Sequence, residues 1–572
     1  MTRVLLVYFT IILNGYTQSL NLNNPFFENN LRIAQLNGEF SSEVSFTLRP
    51  IDYSHYIIDR SIFDFEKYSY DIFSFFNDNG KLKILPIDYN INYTTHHPYN
   101  RNNGSMIPNR GYQQLISWGF YFELGPLSIQ FKPENLYAEN KEFDGFWEGH
   151  EDITWARRYL MWNKIDMPER FGESAYKKTF IGQSNIKLNY KSLSLGLSSE
   201  NIWWGPSIRN GTMLSNNARG FNHITFNTRK PIKTKIGNLE FQFVTGRLEP
   251  SGFDPPNTDR LYAGTKLFVP KTNRKKELND WRFFQGYSLT FSPKFIKNFH
   301  VGLNRWTQMY GAMFENRYNW LINATGKRIG WFPIFNNFLR KNDSFQEYER
   351  DTDQAAGIFF RWVWQDSKAE IYGEFNYSDS KFNLRDLLTD SDHARAVTLG
   401  VHKLFDSKYK KSQIEFLWEW TQLEATASKV VRKITPWYAH NNVRHGFTNF
   451  GEVMGAGIGP GSNSQYFSLS RIKNKERIGI AFEIIDNDND FYYEAFNDSN
   501  DFRRYWKDFN LHLYFHKEFN KFWGSFNLVF SRSLNYQWEL LLNPSLPYYR
   551  PGRDVNNLHL DMKLTFPFLI KK

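Results

Sequence analysis

Residues 193–218 read LSLGLSSENIWWGPSIRNGTMLSNNA, and two patterns meet within them. Leu193, Leu195 and Leu197 alternate with Ser194, Gly196 and Ser198, the period of two that marks a strand with one apolar and one polar face. The alternation then stops. Trp203 and Trp204, a Gly205-Pro206 turn, Arg209, an Asn210-Gly211 turn and the pair Asn216-Asn217 take its place. A strand wetted on one face thus opens into a loop of flat aromatics, a cation and amides. That chemistry suits sugars, which present apolar C–H faces and hydroxyl rims.

The same strand pattern recurs from about Arg110 onward. Ile414, Phe416, Trp418 and Trp420 alternate with Glu415 and Glu419; Leu511, Leu513 and Phe515 oppose His512, Tyr514 and His516. In the last run Leu558, Leu560, Met562, Leu564, Phe566 and Phe568 interleave with His559, Asp561, Lys563 and Thr565. Charges on the second face decide the architecture. A sandwich core rejects Glu415 with Glu419 unless that face is wet, and a wet face leaves the aromatic one needing a non-aqueous partner. Lipid outside and a polar lumen inside satisfy both. Roughly 450 residues at about 25 per strand and loop give about 18 strands of a transmembrane antiparallel β-barrel.

Composition agrees. Aromatic residues make up 18% of the 572 residues, yet mean hydropathy is −0.57, because aromatics are interleaved with charged and amide residues nearly everywhere. The absence of cysteine excludes disulfides and thiolate metal sites. The net charge of +11 fits attraction to acidic glycan or lipopolysaccharide phosphates, or a plainly solvated basic surface. No helix-borne basic stripe or nucleic-acid motif is present.

Residues 1–19 have the form of a secretory signal: Arg3, the apolar run Val4–Leu13 broken only by Thr10, and the small Thr17 and Ser19. Residues 20–100 are expected to form a small, partly helical periplasmic segment. Asn24 is placed to cap a helix with Pro25 first, Phe27, Leu31 and Ala34 on one face and Gly38 as the stop; Tyr56 to Phe75 is a weaker helical candidate. Residues 101–572 are then the barrel. Breaks around 141–178, 200–222, 247–280, 310–353, 378–394, 424–463 and 486–508 are expected to include its extracellular loops.

No motif carries catalysis. Glu370 and Glu374, like Glu415 and Glu419, are four residues apart, which on a strand is about 13.5 Å; glycosidase pairs need about 5–9.5 Å, so these acids are expected to line a lumen. Asp486-Asn487-Asp488-Asn489-Asp490 opens like a calcium loop, but Phe491 and Asn497 stand where glycine and glutamate are required. The histidines His96-His97, and His440 with His445, lack a third ligand at useful spacing. No metal and no cofactor are expected. A second sugar-type cluster lies at Trp437, Tyr438, His440 and Arg444. For all of these Trp and Tyr residues, membership of an interface girdle is the competing reading.

The blocks WWGPSIRNGTMLSNNARG (203–220) and HGFTNFGEVMGAGIGPGSNS (445–464) resemble the Wzi capsule-assembly family of outer-membrane proteins. So do TTHHPYNRNNGSMIPNRGYQ (94–113), GPLSIQFKPENLYAEN (125–140), AEIYGEFNYSD (369–379) and DHARAVTLG (392–400), in the same order. The resemblance implies a barrel of about eighteen strands in the outer membrane of a Gram-negative bacterium, with a small helical periplasmic part. It also implies a non-enzymatic, lectin-like role in holding or organising capsular or other surface polysaccharide. On this reading sugar stacks on Trp203, Trp204 or Tyr438 and hydrogen-bonds Arg209, Asn216, Asn217, His440 and Arg444, with outer-membrane lipid and lipopolysaccharide as surroundings and no nucleic acid as partner. The alternative is a diffusion channel for small solutes, lined by Glu370, Glu415, Glu419, His512 and His516.

Overall fold

The computed structural model describes residues 22–23, 25–52, 70–75, 80–262, 264–267, 281–312, 334, 352–378, 384–408, 412–496, 503–541 and 552–567. The expected signal at residues 1–19, the cap at Asn24 and most of the helical candidate from Tyr56 lie outside them.

Eighteen antiparallel staves close into one barrel. In chain order they are β1 (Gly80–Thr94), β2 (Gly111–Leu124), β3 (Leu127–Phe131 continued by Glu134–Ala138), β4 (Tyr176–Phe180 continued by Asn185–Tyr190), β5 (Leu193–Ser198) and β6 (His223–Thr228). Next come β7 (Gly237–Leu248), β8 (Arg282–Pro293), β9 (Phe299–Tyr310), β10 (Asp353–Trp364), β11 (Ala369–Ser378) and β12 (Arg395–Asp406). The wall ends with β13 (Gln413–Gln422), β14 (Asn463–Lys473), β15 (Glu476–Asp486), β16 (Lys507–Glu518), β17 (Trp523–Leu534) and β18 (Val555–Phe566). Closure runs β18 to β1, with His559 opposite Thr94 and Phe566 opposite Ile87. Short turns such as Gly125-Pro126, Lys191-Ser192 and Asn474-Lys475 join staves at one end and long loops at the other, which sets the long loops outside the cell.

The alternation read from sequence is the in–out pattern of this wall. Ile414, Leu511, Leu513, Leu195 and Leu197 are exposed on the outer face, while Glu415, Glu419, His512 and Ser194 are buried within. With lipid outside, those exposed side chains are in an apolar solvent and every backbone group is paired along the closed wall.

Two boundaries shift. β1 belongs to the barrel, so the boundary expected at residue 100 moves back to Gly80. Pro86 hid this stave: lacking an N–H, it sits where the pairing of β1 with β2 skips between Leu85 and Asp88, a bulge that splits the alternation in two. The end of the second helical candidate, Tyr70–Phe75, is a strand paired with Gly80–Ile84.

The first helix, α1 (Pro25–Leu36), forms over the expected residues, and Gly38 follows it in the left-handed region at φ 78°. It is seated within the short-turn mouth. Phe26 stacks on Trp523 with centroids 4.0 Å apart, Leu36 packs against Val363 and Leu404, and Arg32 Nε donates to Glu370 Oε1 at 2.6 Å. The helix of the expected periplasmic segment is thus packed against the barrel's inner wall, because the apolar face of α1 finds its cover there.

Candidate functional site

Three loops fold inward and meet in the lumen. The loop after β5, residues 199–222, is held by two carboxylates of the wall. Glu419 accepts from the backbone N–H of Ile208 (2.8 Å), Arg209 (3.0 Å) and Asn210 (2.7 Å), and from the Tyr372 hydroxyl at 2.7 Å. Glu374 accepts from Ser207 N (3.1 Å), Thr212 N (3.2 Å) and Thr212 Oγ1 (2.7 Å). Two carboxylates thus satisfy a turn's worth of backbone donors with charge-assisted bonds, about twice as strong as neutral ones. Gly205 is required: its φ is 96°, and a Cβ would lie 2.3 Å from Glu374 Oε1.

The second inward loop, residues 423–462, leans on the first. The Tyr438 hydroxyl donates to Thr212 O at 2.9 Å and accepts from Ala456 N at 2.7 Å, while Ser215 N donates to Met454 O at 2.9 Å. Phe447 stacks on Trp306 of the wall at 3.8 Å and 4°. The third, residues 95–110, joins them through Gly104 N to Asn216 O (2.8 Å) and Asn102 Nδ2 to Arg209 O (2.7 Å). The conspicuous blocks at 94–113, 203–220 and 445–464 are therefore one packed plug.

This arrangement places most of the expected sugar-site residues inside the plug rather than on an exposed loop. Trp203, Trp204 and Tyr438 are neither exposed platforms nor girdle residues; all three are buried in the plug. Trp204 donates from Nε1 to Gln242 Oε1 at 2.8 Å and fills the space over Gly286, where a Cβ would lie 2.7 Å from its ring. Asn216 is buried, its amide donating to Asn23 Oδ1 at 3.0 Å and Asn102 O at 2.9 Å. Arg209 lies over Tyr466, 4.3 Å from the ring centroid, in a chamber below the plug. His440 and Arg444 are half-buried at the loop rim, where His440 Nδ1 accepts from Val443 N at 2.8 Å. Of the expected residues only Asn217 reaches the cavity described next. Amphipathic plug residues and sugar platforms share a composition, so the sequence could not separate them.

The channel lining is corrected as well. The carboxylates expected to line an open pore are engaged: Glu370 by Arg32, Arg361 and His402, Glu415 by Arg477 at 2.5 Å and His402 at 2.9 Å, and Glu419 by the plug.

Outside the plug, the long loops enclose a cavity of about 280 Å³. Its wall comes from the end of α2 (Asp152–Trp162) in the β3–β4 loop, from Asn487 and Asp488 just before α3 (Asn489–Phe496), from residues 451–462 of the second inward loop and from the turn Tyr536–Trp538 before β18. Trp155, Tyr159 and Trp162 recur at helical spacing on α2 and pack with Phe146, Phe491, Phe496 and Trp538. Within this aromatic group the Arg158 guanidinium lies 4.7 Å from the Trp162 ring, 5.0 Å from Phe491 and 5.4 Å from Trp538, cation–π distances. Asn535, Gln537 and Trp538 all take left-handed φ, at 52°, 54° and 57°. Such strain at non-glycine residues persists where surroundings enforce it, commonly at ligand sites.

Polar groups complete the wall. Burial pushes the Asp488 carboxyl up to about 7, against the pull of Arg158 at 3.5 Å. Burial likewise raises Glu169 and, well above the ordinary range, Glu452, which accepts from Asn100 at 3.0 Å. Burial lowers His97 to about 3, with the neighbouring His96 adding to the shift, so its ring is neutral. Asn217 Oδ1, Gln537 Oε1 and Trp538 Nε1 are buried polar atoms with no hydrogen-bond partner among the described residues. Flat rings, amides, carboxyls pushed toward their protonated form and one cation together make a surface for a polyhydroxylated ligand. The sequence reading missed Trp162, Trp506 and Trp538. Their one legible signal was aromatic residues at helical spacing inside a long loop, WARRYLMW.

The segment Asp486–Asp490 ends β15 and starts α3, with Phe491 N donating to Asp488 Oδ1 at 3.1 Å. Among the described residues no three acidic or histidine side chains are placed to hold a metal.

Fold and site together define an outer-membrane β-barrel whose lumen is filled by its own segments and whose outer mouth carries an aromatic, polar cavity. The chain belongs to the capsule assembly protein Wzi family, whose model matches residues 93–516. It is similar in fold to the solved structure of Wzi from Escherichia coli, described as an outer-membrane protein involved in group 1 capsule assembly and a carbohydrate-binding β-barrel. Identity is 10%, coverage 97% of this chain and 100% of that one, and the TM-score 0.58. OccAB2 of Acinetobacter baumannii also matches, at 9% identity over 86% of this chain and 99% of that one, with a TM-score of 0.38. OpdQ of Pseudomonas aeruginosa does so at 9% identity over 85% and 98%, with a TM-score of 0.37. No curated protein matches the chain in sequence.

Proposed function

We propose that the protein is a non-enzymatic, lectin-like platform that binds capsular or other surface polysaccharide at the outer mouth of the barrel. The observation that carries this reading is the cavity of about 280 Å³ walled by Trp162, Trp506, Tyr536 and Trp538, with Asn217 and Gln537 presenting unpartnered oxygens. A pyranose ring stacks on such indoles through its C–H face while its hydroxyls meet the amides and the Asp488 and Glu169 carboxyls. A protonated carboxyl, the form Asp488 keeps up to about pH 7, both donates and accepts a hydrogen bond, which matches a hydroxyl. Family membership and the carbohydrate-binding description of the Escherichia coli relative support the same role, with lipid and lipopolysaccharide around the wall.

The channel reading is disfavoured by the lumen itself, where α1 and the loops 199–222 and 95–110 are hydrogen-bonded to carboxylates of the wall and the loop 423–462 to its Arg282, Gln308 and Tyr310. A glycan array probed with the detergent-purified protein tests the proposal. Binding of a subset of capsule-type glycans is expected, lost on Trp538→Ala; a protein that binds no glycan on the array contradicts it.

A further inference from the structure

Below the plug lies a second cavity, of about 190 Å³, between the loop residues Tyr99–Asn103 and Trp203–Arg209, α1, and the staves β14 to β18. Its wall differs from that of the outer mouth. It holds five cations, Arg49, Arg101, Arg209, Arg477 and Lys563. Two of these are tightly matched: Arg49 to Glu28 at 3.0 Å and Arg477 to Glu415 at 2.5 Å. The others are loosely matched. Arg101 and Arg209 share the single carboxylate of Glu483, at 3.4 and 3.9 Å, and Lys563 stands 4.0 Å from Asp561. Among the described residues the acids paired with these five cations are Glu28, Glu415, Glu483 and Asp561, and none of them lies closer than 3.4 Å to Arg101, Arg209 or Lys563 in this dehydrated wall. Charges so placed are costly unless a counter-charge meets them.

The same wall carries neutral groups suited to hydroxyls. Tyr514 Oη, Asn102 Oδ1, Asn216 Oδ1 and Asn527 Oδ1 are buried without hydrogen-bond partners among the described residues. Trp203 also lines the chamber, its ring covered by Arg49 at 4.3 Å. We propose that this chamber is a second binding site, taking a small ligand with one oxyanion group, a carboxylate or a phosphoryl, beside hydroxyls. The oxyanion sits among Arg101, Arg209 and Lys563, the two guanidiniums supplying forked donors and the ammonium a point charge. The hydroxyls meet Tyr514 and the asparagine oxygens. A uronate or a phosphate has this chemistry; a neutral hexose lacks the part that the cations select. The site stands apart from the outer mouth and does not depend on it.

Calorimetric titration of the full-length, detergent-solubilised barrel with glucuronate, inorganic phosphate and glucose tests this. At least one anion is expected to bind saturably and about tenfold tighter than glucose, the worth of one charge-assisted hydrogen bond, and the tighter anion identifies the group. Lys563→Gln and Arg209→Gln should each weaken that binding by a similar factor while heat-modifiable migration, the sign of a folded barrel, is retained. Asn527→Asp adds a negative charge without removing a cation and should weaken it too. Anions that bind no tighter than glucose, or that bind undiminished to all three folded variants, overturn the proposal.

Discussion

Asp488 is a buried carboxyl that titrates near 7, some way above its ordinary range. The folded protein keeps it protonated up to that pH, whereas the unfolded chain ionises it near 4. Its contribution to stability is therefore full below about pH 4 and is lost as pH rises to about 7. Thermal unfolding between pH 5 and 8 should show the wild type losing stability relative to Asp488→Asn as pH rises; parallel curves would remove Asp488 from the account. Gly286 makes a steric prediction. An alanine there drives its methyl into the Trp204 ring, and such overpacking costs about 1–3 kcal/mol, read as a lower unfolding temperature. At this scale the sequence was legible in chemistry and illegible in depth. Trp203, Trp204 and Tyr438 have the composition of a sugar platform, but the contacts that bury them come from Gln242, Gly286 and Ala456, far along the chain.

Whole elements were easier to read, because the in–out alternation of a wetted wall leaves a period of two in each stave. β13, β16 and β18 could be drawn from their residues alone. β1 was obscured by Pro86, and the direction in which the loop 199–222 folds depends on Glu374 and Glu419, which lie more than a hundred residues away. Those acids were legible as lumen-facing, though their partners were not. The plug they hold yields two expectations. Tyr438→Phe removes a donor to Thr212 and an acceptor for Ala456 N, leaving buried groups unpaired at about 1–3 kcal/mol; chemical or thermal unfolding measures it. Replacing both Glu374 and Glu419 with Gln weakens the charge-assisted caps on residues 207–212. Hydrogen exchange at those amides should rise markedly in that variant while exchange in the staves stays unchanged.

On the scale of the whole molecule, greasy outside and damp inside resolve into a barrel that is not a conduit. α1 fills one mouth and three loops fill the middle, so planar bilayers carrying the wild type should show no steady open-pore current. The Glu374→Gln, Glu419→Gln double variant should show intermittent openings. A steady conductance from the intact protein would restore the channel reading. What lies beyond the plug, among the long loops, is the cavity lined by Trp162, Trp506, Tyr536 and Trp538, and on it the account depends. The most direct test is a fluorescence titration of the purified barrel with capsule-type oligosaccharides, comparing wild type with Trp538→Ala. Saturable quenching that weakens about tenfold or more in the variant is the predicted result, a stacked ring being worth about 1–3 kcal/mol. Identical titrations for the two proteins, both folded, would contradict it.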